Sequence, residues 1–207
     1  AASESDVRSV MADSAQVSIA GLNGPNQTVV SGDADAVSSL MSHFEQAGKR
    51  VVQLKVSHAF HSPHMDAMLE DFLAIAQTCS FRKPKIPIVS NLTGKLATNE
   101  EITSPQYWVD HVRGAVRFVD GMQAMAAMGV TTLIEVGPRG VLCGMGANCV
   151  GPEDMAFIPS HRKLDNEILT LVKALGAYYG SGRSMPWDKL FEDSAPRVVP
   201  LPTYAFQ

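Results

Sequence analysis

Residues Val130 to Val136 constrain the architecture more than any other stretch. The run Val-Thr-Thr-Leu-Ile-Glu-Val is mostly apolar and β-branched, and Gly137-Pro138-Arg139-Gly140 follows it directly. A continuous run of this kind is expected of a strand buried on both faces within a parallel sheet. The Gly-Pro-x-Gly segment reads as a tight turn from strand to helix, and Ala156 to Pro159 reads as one more strand. The chain is therefore of α/β class. Its 207 residues, 45% of them hydrophobic, are enough to bury one sizeable core in one or two domains.

The first 56 residues follow a different pattern. Ser3 and Ser5 precede an acidic turn and apolar Val7, Val10 and Met11, which predicts a capped helix. Val17 to Ala20 and Thr28 to Val30 predict a hairpin around the turn residues Asn23-Gly24-Pro25-Asn26. Asp33 can cap the next helix, where Val37, Leu40, Met41 and Phe44 share one face. Gly48 is placed to end it in a left-handed conformation. Val51 to Val56 then alternates as a strand. Helix, strand, strand, helix, strand is a ferredoxin-like α+β sandwich without its opening strand. Because an open sheet edge at the chain start is costly, the chain is expected to begin inside a larger domain.

Further along, Pro63 opens a helix with Met65, Leu69, Phe72 and Ala76 on its apolar stripe. Ile86 to Val89 is expected to be a short buried strand, confined by Pro87 to an edge or a bulge. Pro105 starts a short helix through Tyr107, Trp108 and Val112. A longer helix carries Phe118, Met122 and Met125 and ends at Gly129. Leu164, Ile168, Leu171, Leu175 and Tyr178 mark an amphipathic helix. After Gly180-Ser181-Gly182 the pattern fades into a Pro-rich tail that reads as a linker lying along a surface.

The balance of charge excludes some partners. Seventeen Lys and Arg against 21 Asp and Glu give a net charge of -4. The signs are mixed along the chain, so no one-sided basic field exists for nucleic acid or a lipid surface. No apolar run approaches the roughly 20 residues of a membrane span. The N-terminal residues lack the pattern of a signal peptide. Cys79, Cys143 and Cys149 are odd in number and suit neither a zinc ribbon nor a disulfide framework, so they are expected to be buried free thiols. From these features the chain is expected to be cytoplasmic.

The chemistry concentrates at residues 57–64, a polar loop holding His58, His61 and His64. Three readings fit the residue types. The loop could be merely solvated. His58-x-x-His61-x-x-His64 could ligate a metal, although Pro63 precludes a regular helix there and no carboxylate or cysteine is an obvious partner. A neutral imidazole could also serve as the general base for a hydroxyl or thiol nucleophile. Spacing alone does not choose which histidine. No Gly-x-Ser-x-Gly elbow occurs in the sequence. The glycines of 21–32 and 137–146 fit neither a P-loop nor a dinucleotide fingerprint.

His58-Ala59-Phe60-His61-Ser62-Pro63-His64-Met65 resembles the specificity and catalytic-base motif of acyltransferase domains in modular type I polyketide synthases. Supporting stretches run along the whole chain in order: Asn23-Gly24-Pro25 with Val30-Ser31-Gly32, then Tyr107-Trp108-Val109, His111-Val112-Arg113, Val116-Arg117-Phe118 and Glu135-Val136-Gly137-Pro138. Leu201 to Gln207 resembles the family's post-acyltransferase linker, with Ala205 where the family usually has Pro.

The resemblance implies a malonyl transferase working by ping-pong transfer. A serine takes the acyl group from malonyl-CoA and passes it to the phosphopantetheine thiol of an acyl carrier protein. By motif position His61 is the general base, and the backbone carbonyl of His111 orients it. His58, Ala59 and Phe60 set specificity, because bulky Phe60 would occupy the space of an α-methyl branch. The nucleophile, the malonyl-binding arginine and an oxyanion-hole glutamine belong to the family's first half and are absent from this sequence. Arg113 and Arg117 are expected to be structural rather than substitutes.

The implied fold has two parts. An α/β-hydrolase-like large subdomain, partial here, occupies residues 57–180, and a partial ferredoxin-like small subdomain occupies 1–56. Residues 181–207 form the linker. No metal or permanently bound cofactor is implied. The implied partners are the carrier protein, the ketosynthase domain and linker of the same polypeptide, and the acyltransferase's N-terminal half. Two alternatives remain from the residues alone: a non-catalytic docking domain of the same shape, and a metal-dependent hydrolase using the His cluster.

Overall fold

The computed structural model describes residues 1–11, 15–151, 155–163, 166–192, 199–200 and 202–203. Helix α1 (Glu4–Met11) opens at a reciprocal cap. The Ser3 hydroxyl accepts from the Asp6 amide and the Asp6 carboxylate accepts from the Ser3 amide, both at 3.2 Å. Strands β1 (Val17–Gly24) and β2 (Gln27–Gly32) form an antiparallel hairpin whose register closes with Gly24 opposite Gln27. Gly32 has φ +155, and a Cβ there would lie 2.1 Å from the Gln16 carbonyl oxygen, so the close approach needs glycine. Helix α2 (Ala34–Gln46) follows, and Gly48 at φ +70 ends it as the sequence predicts.

Strand β1 is buried along most of its length, whereas β2 is half-buried. Ala2, Val7, Ile19, Leu22 and Val119 form the core, with Met11, Val30, Phe44, Ala115 and Cys149 packed against it. Val116 adds to β1 as a short extra pairing: Leu22 donates to its carbonyl at 2.8 Å, and its own amide donates to Ala20 at 2.9 Å. The N-terminal helix and hairpin are thereby tied to the segment leading into α6.

A 3-10 turn (Pro63–Met68) runs into α3 (Leu69–Thr78), which packs on α5 (Pro105–Arg113). Between them lies α4 (Asn99–Ile102), opened by a Thr98–Glu101 capping box. Helix α6 (Phe118–Ala127) packs on β1 and is followed by Gly129 at φ +78. Strand β3 (Thr132–Glu135) pairs in parallel with β4 (Ala156–Pro159) across α7 (Val141–Gly146). Helix α8 (Glu167–Gly180) is capped by Asn166, whose side chain accepts from the Leu169 amide at 2.9 Å. Helix α9 (Trp187–Leu190) is the last element among the described residues. No helix among the described residues is long and apolar enough to cross a membrane.

Four expectations are corrected. Val51 to Val56 forms no strand among the described residues, and its alternating Val52, Leu54 and Val56 are exposed. So the first 56 residues form helix, hairpin and helix without the fifth element of the ferredoxin-like pattern. Ile86 to Val89 makes one isolated bridge, Val89 to Leu96, and Ile86 and Ile88 are exposed rather than buried. The run Val130 to Val136 does supply a parallel strand, but Ile134 and Val136 are exposed, the latter at 87%. The cause is common to all three: alternation or apolarity marks a strand, but strand pairing and burial need neighbours, and the described residues offer β3 only β4 and offer 51–56 none. Cys143 is buried and Cys149 half-buried, but Cys79 is exposed at the end of α3. Of the residues expected to form the linker, Arg197, Val198, Leu201 and Tyr204 to Gln207 lie outside the described residues, as does Leu164.

Candidate active site

The loop after Val56 is organised around Ser62, which is fully buried. Its hydroxyl donates to the Ala59 carbonyl at 2.6 Å and accepts from the His64 amide at 3.2 Å. Ser62 thus caps the 3-10 turn, and Pro63 fills the first helical position, where its missing N–H has no cost. His61 is the one non-glycine among the described residues with positive φ, at +58. Side chains rarely adopt this conformation, and where they do it clusters at functional sites held by their surroundings.

The three loop histidines meet three different partners. The ring of His58 sits 5.8 Å from that of Phe60, and its Nδ1 lies 3.0 Å from the Ser57 hydroxyl. Phe60 itself is exposed. The Nε2 of His64 bonds the Asp33 carboxylate at the start of α2, which explains why Asp33 caps that helix by position without a side-chain cap bond. His61 turns its ring to His111 on α5, centroid to centroid 6.5 Å, at 74°. Among the described residues no group of three or more His, Cys, Asp or Glu is arranged to hold a metal ion.

His61 Nδ1 is buried and has no hydrogen-bond partner among the described residues. The bond expected to the His111 carbonyl is therefore not made in this structure, because the two residues meet ring to ring. His111 is held in turn by an aromatic cluster. Its ring lies 6.2 Å from Tyr107 and 6.4 Å from Trp108, and Phe81 stacks on Trp108 at 6.1 Å. The Tyr107 hydroxyl bonds buried Ser90 at 2.7 Å. Burial, and secondarily the charge of His61, push the His111 imidazole below its ordinary value. That keeps it neutral near pH 7.

Both arginines singled out from sequence are engaged in ion pairs. Arg117 forms an ion pair with Asp120 at 2.5 Å and lies 3.7 Å from Glu4. Arg113 bonds Asp66 at 2.7 Å. Ser62, Asp33, Asp66 and Ser90 were not candidates from sequence. The Ser-Pro pair at 62–63 carries a readable cap signal. The other three act across 17 to 47 residues of chain, which leaves no local trace.

A cleft of about 770 Å³ opens elsewhere, between β3 and α8, lined by Ile134, Val136, Ile158, Leu171 and Tyr178 with His161 to Lys163 at its polar side. It shares no residue with the histidine loop.

Residues 1–176 match the acyl transferase domain family. The chain belongs to that family. It is 42% identical over 202 residues to the spectinabilin polyketide synthase system protein NorB of Streptomyces orinoci, covering 96% of this chain and 9% of that protein. Among solved structures it is similar to the acyltransferase domain from the second module of the salinomycin polyketide synthase, with TM-score 0.89 and 37% identity. That match covers 96% of this chain and 47% of that one. A malonyl-CoA:acyl carrier protein transacylase of Xanthomonas oryzae matches at TM-score 0.74 and 27% identity, covering 86% of this chain and 55% of that one. The acyltransferase chain therefore spans about half the length of these solved acyltransferases and about a tenth of the polyketide synthase protein.

Proposed function

We propose that this chain carries the base and selectivity half of an acyltransferase that loads malonyl units onto an acyl carrier protein. The observation that carries the reading is His61: an imidazole held at positive φ, its Nδ1 buried and unpaired, in a His-Ala-Phe-His loop of an acyltransferase chain. A strained, half-buried imidazole with one nitrogen waiting for an acceptor suits a general base better than a packing residue. The acceptor assigned to it is the His111 carbonyl, which lies in the last turn of α5, where carbonyls lack intrahelical donors. Catalytic hydrogen bonds are often loose in free enzymes and tighten with substrate.

In this reaction the serine hydroxyl of the segment outside this chain gives its proton to His61 Nε2. Its oxygen bonds the thioester carbon, and the carbon–sulfur bond breaks as the imidazolium returns the proton to the leaving thiolate. The phosphopantetheine thiol of the carrier protein then repeats the steps in reverse, freeing the serine. Phe60 stands where an α-methyl branch would need room, with His58 packed against it, which favours malonyl over branched units. Residues 1–56 belong to the small ferredoxin-like subdomain, 57–180 to the large α/β-hydrolase-like one, and 181–207 to a linker toward the ketosynthase. The exposed strand-like runs 51–56 and 86–89 support this division, since each wants a strand partner from elsewhere in the domain.

The test uses the complete acyltransferase polypeptide with malonyl-CoA and carrier protein. Intact mass should show a malonyl-serine adduct, and His61→Ala should abolish both adduct and transfer. Undiminished transfer by the His61→Ala protein would sink the base assignment. A protein that never forms the adduct is a docking domain instead.

A further inference from the structure

Arg113 joins three elements. Its Nε donates to Asp66 Oδ1 at 2.7 Å, and its Nη1 donates to the Ser18 hydroxyl at 3.2 Å. Asp66 lies in the 3-10 turn that Ser62 caps, five residues after His61. Ser18 lies on β1, and Arg113 itself lies two residues after His111 in the last turn of α5. The same strand is held to the chain just beyond Arg113 by the Val116 pairing. We propose that Arg113 is a positioning residue for the transfer reaction: its bonds to Asp66 and Ser18 fix the His61 loop against the helix end that carries His111. The proposal rests on the reading of His61 as the base.

The geometry favours this over a stabilising role. Asp66 is exposed and Arg113 about one-third exposed, and ion pairs of that kind contribute little to stability. What the pair does supply is direction. A guanidinium is a planar fork with donors at fixed angles, so bonding two recipients at once fixes the turn relative to the strand. A lysine ammonium could reach one recipient without setting the angle. The 3-10 turn has no other ion pair to β1 or α5 among the described residues. The second tie on this loop, His64 to Asp33, leads to α2.

The test measures malonyl transfer by the complete acyltransferase polypeptide in four variants beside His61→Ala. Arg113→Ala should lower kcat about 10- to 100-fold, the range expected when a reacting group is displaced by about 1 Å. The KM for malonyl-CoA should stay within about twofold, since substrate binding is not what the clamp serves. Asp66→Asn should reproduce most of the loss without making a cavity, so it decides the matter should Arg113→Ala fail to fold. The Arg113→Ala, Asp66→Asn pair should be no worse than the more damaging single change, because both cut one link. Arg113→Lys should recover part of the rate. Wild-type kcat in Asp66→Asn and Arg113→Ala, beside an inactive His61→Ala, overturns the clamp and leaves the base reading standing. Losses that multiply in the pair, or that fall on KM, also overturn it. Full activity in His61→Ala overturns the base reading itself, and the clamp with it.

Discussion

Replacing Ser62 by alanine tests whether the loop conformation is held by that one hydroxyl. Ser62 is fully buried, so alanine fits the space and removes only the oxygen. Two bonds go with it: the cap to the His64 amide at 3.2 Å and the bond to the Ala59 carbonyl at 2.6 Å. Loss of an N-cap oxygen costs about 1 kcal/mol. Loss of the second bond costs about 1 kcal/mol more. The positive φ of His61 stores strain that the remaining contacts must then hold unaided. Together the lost bonds are worth about 2 kcal/mol, or roughly a 30-fold shift toward the open loop. Hydrogen exchange reads this directly. The His64 amide bonds the Ser62 hydroxyl, and the Met65 amide bonds the Ser62 carbonyl at 3.0 Å. Both should exchange roughly 30 times faster in Ser62→Ala, while amides of the β1–β2 hairpin stay as they were. Exchange at His64 and Met65 within about threefold of wild type would refute the account. So would a uniform rise across the hairpin, because the serine would then be supporting the whole fold rather than the loop.

Other outcomes follow from the same contacts. Phe60→Ser should raise methylmalonyl use relative to malonyl by roughly 10- to 200-fold in kcat/KM, the worth of one methyl group in a fitted space, measured by competition between the two thioesters. Ser90→Ala should destabilise by about 2–3 kcal/mol in denaturant melts, because it strands the Tyr107 hydroxyl and the amides of Leu92 and Thr93. Tyr107→Phe, which leaves those amides paired, should cost about 1 kcal/mol. For Glu135, burial opposes the charged form, but amides of Cys143, Leu142 and Val141 outweigh it and lower the carboxyl below its ordinary 4.5. A lowered folded value means the stabilisation is whole above the unfolded value and is lost as pH falls through the folded one. Glu135→Gln should therefore melt lower than wild type at pH 7, with the gap closing only below 4.5. A gap that is constant with pH would remove the carboxylate from this role.

Most of the fold's local structure was legible because its signals are local. Gly48 and Gly129 end helices where the apolar stripes stop, and both have the positive φ that such positions require. The hairpin follows from turn residues between two β-branched runs. The strands tell a more divided story. Val130 to Val136 announced a parallel strand and its partner at 156–159 correctly, but the same apolarity also announced burial that β3 does not have. Val51 to Val56 announced a strand that has no strand beside it among the described residues. In each case sequence encodes what a segment needs, whereas structure reports what it has met. Unmet need is itself legible here: Val52, Leu54, Val56, Ile86 and Val136 are apolar residues in strand-like runs, and all are exposed.

The candidate site divides along the same line. His58 to His61 could be singled out because the motif is contiguous, and Ser62-Pro63 carries its own capping logic. The groups that fix the motif in space are remote. Asp33 is 31 residues from His64, Arg113 is 47 from Asp66 and 95 from Ser18, and Ser90 is 17 from Tyr107. Each of these residues has an adequate local explanation: a helix cap, a helix-end cation, a strand hydroxyl, a turn serine. Local adequacy is what hides them, since nothing about Asp33 as a cap residue reveals that its carboxylate is spent on His64 instead. The reactive group of such a site is thus easier to read from sequence than its supports. If His61 is the base proposed above, the supports decide whether it sits within reach of a proton, because an imidazole displaced by about 1 Å can lose about a hundredfold in rate without any change in its own chemistry.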